Sequence, residues 1–203
     1  YPMRWSSSCK GPEVELSEED TLASAKDHCE SVVSATSLPA TGKHLVELVF
    51  KRSGRLSGAS LQGCYMVGVV SEAVSGTIDF GDHRTLSTLS EGFWGVDDVG
   101  VDEERYGSGA GIRRGGGSVQ NAPDEAICAI SGASLHNAGG EPRIFLNGDT
   151  VGLLVNMDAR TLTIHRNGTP IPSLVFEGLP ERVRIAATLD DTDSEVRIVH
   201  ADE

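Results

Sequence analysis

The fold is decided by one stretch, Val151-Gly152-Leu153-Leu154-Val155-Asn156-Met157-Asp158-Ala159-Arg160-Thr161-Leu162-Thr163-Ile164-His165-Arg166-Asn167-Gly168. It opens with a short apolar run and breaks at the polar turn Asp158-Ala159-Arg160. From Thr161 it alternates with period two, which puts Leu162 and Ile164 on one face of a strand and the two threonines on the other. Asn167-Gly168 is a strong hairpin signal, because a type I′ turn needs positive φ at both central positions. A β-branched residue at 168 is therefore expected to damage the turn.

Working outward, residues 171–176 return as the third strand of a meander, and 182–189 and 195–200 supply two more. The acidic loop Asp190-Asp191-Thr192-Asp193 splits that last pair. Upstream, His44-Leu45-Val46-Glu47-Leu48-Val49-Phe50 is apolar at 46, 48 and 50 on one face and at 45 and 49 on the other. That pattern suits a strand packed on both sides. Cys64-Tyr65-Met66-Val67-Gly68-Val69-Val70 follows as another largely buried strand.

Glycine numbers 24, where average usage would give about 14, so tight turns are frequent. Strands at 8–12-residue spacing with turns between them predict an all-β chain, an antiparallel sandwich or barrel. Leu153, Val155, Leu162, Ile164 and Phe176 are its expected core. The best helical candidate is 17–26, with Ser17 as cap and Asp20 in the first turn.

At 203 residues and 38% hydrophobic composition the chain can bury a sizeable core. The charge is 17 basic against 30 acidic side chains, or −13. Such a balance excludes a general nucleic-acid binder, whose affinity rests on phosphate attraction. It equally excludes a polybasic membrane-docking face, and no apolar run approaches the length of a span. Cys9, Cys29, Cys64 and Cys128 lie far apart with no C-x-x-C pair, which argues against zinc and for free thiols in a reducing, intracellular and cytoplasmic setting. The first residues hold neither an initiator Met nor a signal-peptide core, so the chain is expected to belong to a larger multidomain protein.

Several motifs resemble catalytic or cofactor sites without completing them. The glycine-rich run 107–117 lacks the third Gly of a dinucleotide fingerprint, Ile112 or Arg114 standing there, and no Gly-Lys-Ser/Thr follows. It is expected to be a surface loop. Ser60 and Ser134 lack the closing Gly of a hydrolase elbow. The six histidines have no partners at revealing spacing, and the acidic clusters depart from calcium-loop order. The sequon Asn167-Gly168-Thr169 is accounted for by its hairpin and is followed by Pro170. No enzyme activity, cofactor or metal is expected.

The run from Gly148-Asp149 to Thr161-Leu162 resembles the core pattern of SPRY domains: a Gly-Asp, a strand, an acidic turn and a Thr-Leu opening the next strand. The likeness continues through Arg166-Asn167-Gly168, Val175-Phe176-Glu177-Gly178-Leu179-Pro180 and the last two strands. Upstream it takes in Thr41-Gly42-Lys43-His44-Leu45-Val46-Glu47-Leu48, Met66-Val67-Gly68-Val69 and Phe93-Trp94-Gly95. Val46 stands where the family has Trp, and Leu45 where it has an aromatic. The stretch from Trp94 to Gly148 is longer than the family needs, which marks 100–143 as an inserted segment and 1–10 as a flank of a single SPRY-like domain.

The resemblance implies a bent antiparallel two-sheet β-sandwich with at most one or two short helices. Loops at one end would form a non-catalytic surface for a peptide or protein. Carried over by position, that surface would draw on Arg55, Leu61, Gln62, Trp94, Asp190, Asp191, Thr192 and Asp193. Three carboxylates within four residues favour a ligand carrying Lys or Arg. Two other readings stand beside it: a carbohydrate-binding module using Trp94 as an exposed platform, and a structural wall of a larger assembly contacting through 100–143.

Overall fold

The computed structural model describes residues 2–26, 30–51, 65–76, 78, 86, 91–98, 111–116, 120–121, 148–189 and 194–202. Fourteen strands form two seven-stranded sheets among these residues. The first sheet runs in the order β1 (Trp5–Lys10), β4 (Glu30–Ser34), β13 (Val183–Leu189), β6 (Tyr65–Ser71), β7 (Glu91–Asp98), β8 (Gly111–Gly116) and β9 (Gln120–Asn121). The second runs β12 (Thr169–Glu177), β11 (Thr161–Arg166), β10 (Thr150–Asn156), β5 (Lys43–Lys51), β14 (Glu195–Asp202), β3 (Leu22–Ala25) and β2 (Val14–Ser17). Every pairing is antiparallel. One four-residue helix, α1 (Glu72–Ser75), is present among the described residues. This is the expected two-sheet sandwich.

The period-two reading holds where it was strongest. β10 pairs in unbroken register with β11 (Leu153 opposite Ile164, Val155 opposite Leu162) and with β5 (Leu153 opposite Val46). Asn167 and Gly168 have φ of 48° and 77°, the left-handed pair a type I′ turn requires. Leu153, Val155, Leu162, Ile164 and Phe176 are all fully buried. Opposing them from the first sheet are Val67, Val69, Val183, Ile185 and Ala187, with Trp5 closing the core from β1. The segment set apart as a flank thus supplies one of the largest buried side chains.

Two readings are corrected. No helix forms over 17–26: β2 and β3 make a hairpin there, with Ser17 opposite Leu22 and Leu16 opposite Ala23. Glu18, Glu19 and Asp20 turn the chain with φ of 51°, 57° and 64°. Three left-handed residues in a row cost about 1–2 kcal/mol each. Tertiary contacts offset this: Trp5 N donates to Asp20 O at 2.7 Å, Ile198 N donates to Thr21 O at 2.9 Å, and Arg197 and Arg4 pair with Glu18 and Glu19. A lone ten-residue helix has no such partners and is marginal in water. Part of the glycine-rich run, expected as a surface loop, is instead β8, its backbone laddered to β7 with Arg113 opposite Gly95 and Arg114 opposite Trp94. Ladder hydrogen bonds need no side chain, so poor strand propensity does not prevent pairing.

A second, smaller core covers the outer face of the first sheet. Val33, Met66, Val70, Phe93 and Ala186 are buried there under Leu86, with Val74 and Ile78 packed alongside. Ser31 Oγ accepts from Leu86 N at 3.0 Å and lies 2.8 Å from Thr188 Oγ1, so the covering segment is tied to two strands. Gly68 faces Gly95 across β6 and β7. A Cβ on Gly68 would stand 2.1 Å from the Trp94 carbonyl oxygen, and one on Gly95 would stand 2.8 Å from the Phe93 ring. Glycine at both positions permits this approach.

Leu162→Ala is expected to cost about 2–5 kcal/mol, the lost transfer energy plus an unfilled cavity. Gly168→Val should also destabilise, by straining the hairpin; urea unfolding with unchanged slope checks both.

Candidate functional site

The order of strands brings one end of the sandwich together. The chain passes between the two sheets there five times: from β1 to β2, β3 to β4, β5 to β6, β9 to β10 and β13 to β14. Register places these ends level. Lys51 at the finish of β5 lies opposite Glu195 at the start of β14. Thr188 near the finish of β13 lies opposite Met66, and Tyr65 lies opposite Asp98 at the finish of β7. Segments 52–64, 99–110 and 190–193 therefore all leave the framework at this end.

The described part of the rim is tightly tied. Arg166 Nε donates to Asp149 Oδ2 at 2.6 Å and Asn167 Nδ2 to Asp149 Oδ1 at 2.8 Å, both charged side chains being only 13% exposed. Thr150 N donates to Asn167 Oδ1 at 2.9 Å, and Gly148 N to Phe50 O at 2.9 Å. Asp149 thus pins the β11–β12 hairpin to the start of β10. Across the rim, Lys26 pairs with Glu15, Ala25 N donates to Ser194 O at 2.9 Å, and Ser194 is buried. Glu30, opposite Leu189 at the start of β4, is fully buried over Gly11. A Cβ on Gly11 would fall 1.3 Å from its Oε2, so only glycine leaves room for this carboxylate.

Of the residues proposed from sequence, Arg55, Leu61, Gln62, Asp190, Asp191, Thr192 and Asp193 lie outside the described residues. The strands flanking them bring their two segments to the same end. Trp94 does not stand at that end. It sits mid-strand opposite Val69, half-buried on the inner face and packed against the main core.

One chemical feature escaped the sequence reading. Cys9, half-buried and free, lies 3.5 Å from Arg184 Nη1. Arg184 also donates to Ala35 O at 2.8 Å and Ser75 Oγ at 3.3 Å, tying α1 to the first sheet. Burial pushes the Cys9 thiol up, but hydrogen bonds with Ser6, Ser8 and Arg184 and the guanidinium charge outweigh it and hold the thiol below its usual range. Residues 9 and 184 are far apart in sequence, so no local motif signals the contact. Among the described residues, no group of three or more His, Cys, Asp or Glu side chains gathers to hold a metal, and no helix is long and apolar enough to cross a membrane.

Cys9 should alkylate with a pH midpoint below that of the same cysteine in the unfolded chain. Arg184→Met should raise that midpoint; peptide mass spectrometry of an iodoacetamide pH series measures it, and an unmoved midpoint would refute the contact's role.

No family model and no curated protein matches the sequence. Solved structures do match the fold. The SPRY domain of human HERC1 is similar at 16% identity, covering 96% of each chain with a TM-score of 0.57. The PSpry domain of TRIM65 is similar at 13% identity over 98% of this chain and 90% of its own, with a TM-score of 0.61. Both matches span nearly the whole two-sheet sandwich: the chain has the SPRY-domain fold.

Proposed function

We propose that the protein is a non-catalytic interaction module that grips a basic segment of another polypeptide at the loop end of its sandwich. Convergence of three connecting segments on one end carries this reading. The acids they bring, Asp102, Glu103, Glu104, Asp190, Asp191 and Asp193, outnumber the bases Arg52, Arg55 and Arg105. Asp97 and Asp98 close β7 at the same end. The hairpin tied through Asp149 gives these segments a rigid base, and a recognition surface built on a rigid scaffold loses less entropy on binding. Small residues in 52–64 (Ser57, Gly58, Ala59, Ser60) let a ligand backbone approach closely. Net charge of −13 steers basic partners toward the molecule.

A carbohydrate site would need Trp94 as an open platform, and its packing against the main core works against that reading. The binding reading also gives Trp94 a simpler task, anchoring β7 beneath the rim.

Asp190→Asn, Asp191→Asn and Asp193→Asn together should slow association with a Lys/Arg-rich peptide about tenfold at low salt and flatten its salt dependence. Surface plasmon resonance at three ionic strengths reads both. Unchanged on-rate and slope would exclude the acidic turn.

A further inference from the structure

We infer that the outer face of the second sheet, away from the loop end, docks an amphipathic helix of a partner protein through an apolar row and a single basic residue. An antiparallel sheet with one solvated face alternates apolar and polar residues. At the middle of this sheet that alternation fails. Reading across β12, β11, β10 and β5, the outward positions are Val175, Thr163, Leu154 and Leu45, each directly opposite the next. Val49 continues the apolar surface along β5, and Val199, the extra residue at the β14 bulge, is 47% exposed. Gly152 leaves room for its neighbours on this face: a Cβ there would meet His165 Cβ at 2.9 Å and Leu45 Cδ1 at 3.5 Å. The first sheet has a comparable apolar outer face and covers it with Val74, Ile78 and Leu86. Among the described residues no such cover lies on the second.

Charge and spacing select the occupant. Glu47 sits half-buried between Leu45 and Val49 and has no ion-pair or hydrogen-bond partner among the described residues. Across the strands Glu47 lies opposite Gly152 and His200. A half-buried acid with apolar neighbours along its own strand favours a basic group on the partner, because desolvating it unpaired is costly. A second copy would press one −13 chain on another and bring two such acids into one dry interface. A helix laid across the strands fits better. Its turns repeat every 5.4 Å or so and the strands about every 4.8 Å, so apolar residues at i, i+4, i+7 and i+11 meet one strand each. A Lys or Arg beside the first of them then reaches Glu47, one pleat from Leu45.

The probe is a displayed library of 18-residue helices selected on the whole chain. Enriched peptides are expected to carry apolar residues at those spacings and a Lys or Arg. Their affinity should fall at least about tenfold with Leu154→Asp, switch preference to acidic peptides with Glu47→Lys, and stay unchanged with the three Asp→Asn substitutions at 190, 191 and 193. Thermal unfolding confirms that each variant folds. No enrichment, binding that survives Leu154→Asp, binding lost with the triple variant, or a self-association that Leu154→Asp abolishes would each overturn the proposal. The triple variant separates failure here from failure at the loop end.

Discussion

Register between strands is the constraint on which the loop end depends. β10 is hydrogen-bonded on both sides without a slip, and this places Val46, Leu153, Ile164 and their neighbours together on the inner face. A shift of one residue in any of these strands would turn its whole apolar set outward. Burial therefore selects one pairing, and that pairing levels the ends of β5, β6, β7, β13 and β14. The rim owes its geometry to valines and leucines deep in the sandwich rather than to the loops themselves.

Polar contacts then refine what burial has placed. Asp149 bridges the hairpin and the start of β10, Arg184 ties α1 to the first sheet, and Ser31 with Thr188 holds the segment at Leu86. Asp149, Ser31 and Thr188 stiffen the framework at the loop end, whereas Arg184, at the start of β13, ties the opposite end. Among the described residues the two outer faces diverge: one is covered by Val74, Ile78 and Leu86, and the other carries the partly exposed Leu45, Leu154 and Glu47.

Legibility in the sequence followed the length scale of the interaction. Asn167-Gly168, the alternation at 161–166 and the acidic turn at 158 are local, and their strands and turns were readable directly. The hairpin over 14–25 was not, because its left-handed Glu18, Glu19 and Asp20 are held by Trp5, Ile198, Arg4 and Arg197, all remote. Trp5 looked like part of a flank because nothing near it marks a strand. β8 was hidden by glycines, whose pairing depends on β7. For the candidate site, the strands that flank 52–64 and 190–193 were legible, while Trp94 could be assigned to the inner face only once Val69 stood opposite it.

Cross-strand proton contacts measured by NMR test the central claim most directly. The account predicts nuclear Overhauser contacts between the backbones of Lys51 and Glu195, Met66 and Thr188, and Tyr65 and Asp98. Contacts displaced by one residue, or missing across β5 and β14, would mean that these strand ends are not level and that the loop end is not one surface.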